Sequence, residues 1–222
     1  MNICIFGDSI GKGVAFDEIC GRYKPLKFNQ MEPLISNPDI NIKNYSVFGS
    51  TIDKGLSAVE RYEEELSDYD YIITQFGGND CNFAWDMISE DPHFGHEPKT
   101  PIEFFINSYK NIIEKIKKAK VTPILLTLPP LHAKRFFNFI SKGLNKKNIL
   151  KFLGGVDMIY RWQELYSLEI MKIGKALNIP VVDIRSEFIK RRDMGKLLGN
   201  DGMHPKQKGY ELIVKTVYNQ LV

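Results

Sequence analysis

Short apolar, β-branched runs alternate along this chain with longer stretches of helical period, and that alternation constrains its fold more than any other feature. The runs fall at residues 3–6, 40–45, 69–76, 121–128 and 179–182. Between the third and fourth, Ile102, Phe105, Ile106, Tyr109, Ile112, Ile113 and Ile116 recur with a 3.6-residue period. Thr100, Pro101 and Glu103 ahead of that stripe predict a capping box with proline at the first helical position. A last helix, with Pro205 near its start, carries Tyr210, Ile213, Val214, Val217 and Leu221 on one stripe. Strands and helices in this order predict βαβ units and a parallel sheet covered on both sides. No Gly-, Pro- or Ser-rich linker and no repeat interrupts the 222 residues, so one domain over 1–222 is expected. Residues 81–99 and 131–156 do not fit the alternation. They read as insertions after the third and fourth strands, at the sheet edge where open α/β folds bind ligands.

Net charge is only +3, too small a bias to imply nucleic acid as a partner. Residues 131–152 carry a basic run, Lys134, Arg135, Lys142, Lys146, Lys147 and Lys151, with no acid, interleaved with Phe136, Phe137, Phe139 and Phe152. A helical lid with a solvated basic face is the expected outcome there, rather than a lipid or nucleic-acid patch. Cys4, Cys20 and Cys81 are odd in number and widely spaced, which argues against a disulfide framework or a zinc knuckle. No basic leader precedes the first apolar run, and no stretch approaches the length of a membrane span. A cytoplasmic protein without stable membrane association is expected. His93 and His96 lie three apart between Pro92 and Glu97, with Gly95 between them; they read as a loop bordering the site, not as a metal centre. Trp85 reads as pocket or core, Trp162 as core.

The chemistry concentrates in four loops. Gly7-Asp8-Ser9-Ile10-Gly11 matches G-x-S-x-G and, as strand passes to helix, presents a serine hydroxyl at the sheet edge near a positive helix end. Gly-Asp-Ser is also ordinary turn chemistry. A nucleophilic serine needs a base, and Asp201-Gly202-Met203-His204-Pro205 offers His204 with a carboxylate three residues upstream. Asp201 can accept the Nδ1 proton and leave Nε2 free, or it can simply cap a turn beside a surface histidine. The second and third strands end in Val47-Phe48-Gly49-Ser50-Thr51 and Gly77-Gly78-Asn79-Asp80. In a 2-1-3-4-5 winding, strands 2, 1 and 3 are neighbours roughly 4.8 Å apart and these loops converge. The Ser9 and Gly49 N–H groups and the Asn79 amide would then surround the serine as an oxyanion hole, with no side chain on Gly49 to block a ligand.

Taken together and in this order, the four segments resemble the SGNH hydrolases, the GDSL-type esterase and lipase superfamily, across residues 7 to 205. The resemblance implies a flavodoxin-like three-layer α/β/α sandwich with a five-stranded parallel sheet of order 2-1-3-4-5. It also implies ester or thioester hydrolysis through an acyl-serine, without cofactor or metal. Ser9 would be the nucleophile, His204 the base, Asp201 its orienter, and Ser9, Gly49 and Asn79 the oxyanion donors. Ile10 stands where many relatives have leucine. The resemblance leaves the substrate open. A serine esterase for a small or medium carboxylic ester is expected, an acetylated carbohydrate among the candidates, with a lysophospholipase or acyl-thioesterase as the alternative. From another class, a flavodoxin-like nucleotide-binding protein remains, because Gly11-Lys12-Gly13-Val14-Ala15-Phe16 begins like a dinucleotide loop but lacks its last glycine. Oligomeric state is not legible in the chain.

Overall fold

The computed structural model describes residues 1–26 and 37–221. Five parallel strands form the sheet: β1 (Asn2–Gly7), β4 (Asn41–Asn44), β5 (Tyr71–Gln75), β6 (Thr122–Leu126) and β7 (Val181–Val182). Their order is β4-β1-β5-β6-β7, which is 2-1-3-4-5 when parallel strands alone are counted. Every pairing is parallel, with Ile3 opposite both Ile42 and Tyr71, and Leu126 opposite Val182.

Alternation within each strand sends side chains to two cores. Cys4, Phe6, Ile72 and Leu125 pack on one face beneath α1 (Ile52–Arg61), α3 (Ile102–Lys118) and α6 (Asp157–Leu177). Ile3, Ile73, Ile124 and Leu126 pack on the other beneath α7 (Ile184–Ile189) and α8 (Gln207–Leu221). The result is a three-layer α/β/α sandwich. Cys4 is a buried core residue, its thiol pushed up to about 12 by burial.

Two local expectations are corrected. The turn after β1 leads into no helix; it enters an antiparallel hairpin, β2 (Val14–Asp17) and β3 (Arg22–Pro25). The carboxylate of Asp17 accepts the N–H groups of Ile19 and Cys20, an Asx-turn that closes this hairpin and defeats the helix. The capping box at Thr100 also does not form. Helix α3 starts at Ile102 with Pro101 as its cap residue, because the Thr100 hydroxyl donates instead to Asp80 at 2.7 Å.

The two insertions form a third cluster. Residues after β5 supply α2 (Trp85–Glu90), and those after β6 supply α4 (Ala133–Ile140) and α5 (Lys146–Leu153). Phe83, Ile88, Leu131, Phe136, Phe137 and Ile149 share one apolar core. The Ser89 hydroxyl accepts the Asn145 N–H at 2.8 Å and its carbonyl accepts from the Asn148 side chain, fastening α5 to α2. Lys134, Lys142, Lys146, Lys147 and Lys151 all face solvent. Among the described residues no helix is long and apolar enough to cross a membrane.

Candidate active site

The loop between α7 and α8 returns to the end of β1 and brings His204 to Ser9 although 195 positions separate them. Ser9 sits just past the C-terminal end of β1, and His204 on the loop before α8. Two bonds lock these elements: the Tyr210 hydroxyl of α8 donates to the Val14 carbonyl at 2.6 Å, and Lys206 pairs with Glu18 at 2.6 Å. Asp201 Oδ2 accepts from His204 Nδ1 at 2.6 Å, which fixes the tautomer and leaves Nε2 to accept the Ser9 hydroxyl at 2.9 Å. The other carboxylate oxygen of Asp201 accepts the N–H groups of Met203 and His204, so one side chain holds both the imidazole and its backbone. Ser9, Asp201 and His204 are 4%, 1% and 4% exposed, so this relay lies where low local dielectric strengthens each bond. Gly202, at φ +76, turns the loop; a Cβ there would come within 2.5 Å of the Phe136 nitrogen, so only glycine lets α4 approach this closely.

The expected oxyanion donors are arranged less simply than the sequence suggested. Asn79 Nδ2 donates to the Ser50 carbonyl at 3.0 Å and meets Asp8 Oδ2 at 3.4 Å, linking the loops after β4, β5 and β1. Among the described residues no acceptor takes the Ser9 or Gly49 N–H. Gly49 has open space around its missing Cβ, and its φ of +73 is by itself a reason for glycine.

Beneath these groups lie two buried carboxyls. Asp8 accepts the Ile10 N–H at 2.8 Å, yet burial, reinforced by Asp80, pushes its acid up to about 7. Burial raises Asp80 as well, although it accepts from Ile52 N–H and Thr100. Because folded Asp8 holds its proton to about pH 7 and the unfolded acid releases it near its ordinary 3.8, stability falls as pH rises between those values. The loss attributable to Asp8 is roughly 4 kcal/mol at about 1.4 kcal/mol per pH unit. Asp8→Asn is therefore expected to lose less stability than wild type between about pH 5 and about pH 8, read as urea midpoints. Equal losses in the two proteins would refute a neutral, buried Asp8.

Sequence reasoning missed the aromatic wall. Tyr23, from the hairpin, packs on the His204 ring at 4.7 Å between centroids, and Phe48 stacks at 6.3 Å. Burial and the nearby Asp201 push the Tyr23 phenol up, so it stays neutral beside the imidazole. The Asx signal of Asp17 followed by Gly21 was the available clue to the hairpin.

A cavity of about 290 Å³ opens between the loop carrying Asn79 and that carrying His204, with Gly78 and Met203 in its wall. Both insertions line it, and so does Trp162, which also packs against the central core as the sequence suggested. His96 also lines it, its Nε2 bonded to the Asp91 carbonyl at 2.6 Å.

With this geometry in hand, the chain was compared with known proteins. The model of the GDSL-like Lipase/Acylhydrolase family matches residues 5–212. YpmR of Bacillus subtilis, an uncharacterised protein, is 25% identical over 99% of this chain and 80% of its own length. The GDSL esterase/lipase WDL1 of Oryza sativa is 25% identical over 66% of the chain, and the match spans 51% of the rice protein. Among solved structures, a lipase/acylhydrolase from Enterococcus faecalis superposes with a TM-score of 0.70 at 21% identity, covering 99% of this chain and 94% of that one. A catalytic mutant of Axe2, an acetylxylan esterase from Geobacillus stearothermophilus, gives 0.65 at 15% identity, covering 99% and 93%.

Proposed function

The chain belongs to the GDSL-like lipase/acylhydrolase family, and from that premise we propose that it is a serine carboxylesterase acting through Ser9, His204 and Asp201. The observation that carries this reading is the continuous bond path Asp201–His204–Ser9 at 2.6 and 2.9 Å. In this mechanism Ser9 Oγ attacks the ester carbonyl while His204 Nε2 takes its proton. The N–H groups of Ser9 and Gly49 and the Asn79 amide stabilise the oxyanion that forms. His204 then gives the proton to the departing alkoxide, leaving an acyl-serine and free alcohol. Water, deprotonated by His204, attacks the acyl carbon, and Ser9 leaves with the proton returned to it as the carboxylic acid is released.

Asp8 fits this scheme. One Asn79 hydrogen is committed to Ser50, and the other meets Asp8 only at 3.4 Å. With the Asp8 acid raised to about 7, that contact is a weak competitor for a charged oxyanion.

The nucleotide-binding alternative finds less support. A phosphate loop needs free backbone donors, but Gly11 N–H is taken by Gln75 at 2.9 Å, Lys12 by the Asp8 carbonyl, Gly13 by Ile10 and Val14 by Ser9. We take residues 1–222 as one domain whose segments 81–99 and 131–156 build the substrate site. Three free thiols support a reducing, cytoplasmic setting. Turnover of a chromogenic short-chain ester by the wild type, abolished in Ser9→Ala, is the result expected. Absence of ester turnover together with tight nucleotide binding would overturn the reading.

A further inference from the structure

The geometry points to the 290 Å³ cavity as the binding site for an unbranched apolar group of about a dozen carbon atoms at most, attached to one side of the ester carbonyl. This rests on the serine reading above and narrows its substrate. Three observations carry it.

The first is position. Gly78 and Met203 in the cavity wall are the immediate neighbours of Asn79 and His204, so the cavity lies beside the two loops that carry them.

The second is chemistry. Phe83, Trp85, Phe136, Phe152 and Trp162 dominate the wall, and among the described residues no Asp, Glu, Lys or Arg lines it. Few polar groups reach it, and two of them are already engaged, while the indole N–H of Trp162 is buried without a partner. Asn82 Oδ1 accepts from Trp85 Nε1 at 2.6 Å and from the Phe83 N–H, and His96 Nε2 is bonded to Asp91. A sugar ring buried there would surrender its water hydrogen bonds with little in return, whereas an alkyl chain gains about fourfold in affinity for each methylene removed from water.

The third is size. An apolar cavity of ~150 Å³ holds one benzene ring, and this cavity is about twice that volume. An octyl chain fits; a palmitoyl chain would protrude. Most of the wall comes from the two insertions, joined by Met158, Ile159 and Trp162 of α6, so the preference belongs chiefly to these segments and not to the sheet.

The test compares kcat/KM for methyl acetate, methyl octanoate, octyl acetate, methyl palmitate and an acetylated xylo-oligosaccharide. Methyl octanoate and octyl acetate carry the chain on opposite sides of the ester, so the faster one identifies which side the cavity serves. At least one is expected to exceed methyl acetate by tenfold or more, out of a ceiling of roughly 4 × 10³ for six buried methylenes, with palmitate gaining nothing further. Met158→Trp and Leu153→Phe, both in the cavity wall, should lower the ratio of octyl-type to acetyl turnover at least tenfold. That ratio is unaffected by a partial loss of folded enzyme, because both substrates see the same active fraction. The assignment is overturned if neither octyl ester beats methyl acetate, if the acetylated oligosaccharide outruns both, or if the ratio is unchanged in the two variants. Methyl acetate turnover that disappears in Ser9→Ala would leave the serine reading intact in each of those cases. No turnover of any ester would bring both down.

Discussion

Replacement of Ser9 or His204 by alanine is expected to lower kcat for a chromogenic ester by roughly 10⁶-fold, and the double variant should be no worse than either single one. The non-additivity follows from the arrangement. Ser9 is a nucleophile only because Nε2 of His204 stands 2.9 Å away to receive its proton, so removing either group removes the same step. Asp201→Asn is the sharper probe of the third member. Its Oδ1 can still accept the Met203 and His204 N–H groups, so the turn survives. The amide, however, presents a donor to Nδ1 and forces the proton onto Nε2, where the serine hydroxyl then finds no acceptor. A fall of about 10⁴ in kcat is expected. Steady-state kinetics beside thermal melts separate this from unfolding; an Asp201→Asn enzyme with near-normal kcat would remove Asp201 from the relay.

Asn79→Ala is expected to lower kcat by roughly 10²–10³-fold while KM moves little, since the hydrogen bond it offers matters when negative charge develops on the carbonyl oxygen. The same substitution also cuts the bond to Ser50, which joins the loops after β4 and β5. A purely structural role would therefore appear as a lower melting temperature with kcat per folded molecule preserved. A large kcat loss in a protein that melts normally is the signature of an oxyanion donor. Normal kcat would remove Asn79 from the hole.

These assignments were legible in the sequence to different depths, for physical reasons. The sheet was readable because strands such as β5, with Ile72, Ile73, Thr74 and Gln75 buried in succession, must be apolar or hydrogen-bonded on both faces. The Asp201–His204 pair was readable because its spacing is local: three residues on one turn bring carboxylate to imidazole. The Ser9–His204 contact depends on the loop after α7 returning to β1, because β7 itself lies at the far edge of the sheet. What escaped depends on partners far along the chain. Thr100 has the composition of a cap, but its hydroxyl is claimed by Asp80. The four-residue strands β2 and β3 are too short for a period to stand out, and Tyr23 gains its place against His204 only when that hairpin folds back. Trp162 lies on a long amphipathic helix and meets both the central core, as the sequence suggested, and the cavity, which no periodicity shows. The cavity depends on the insertions, which pack by tertiary contacts such as Phe83 against Trp162.

The central claim is that Ser9 is an activated nucleophile, and covalent capture tests it most directly. Treated with an alkyl fluorophosphonate, the wild-type protein should gain the mass of one phosphonyl group with loss of fluoride, and peptide mapping should place it on Ser9. His204→Ala, with the hydroxyl present but no base beside it, should react far more slowly, and Ser9→Ala should not be labelled. An adduct that forms equally well on Ser9→Ala, or no adduct on the wild type, would contradict the account.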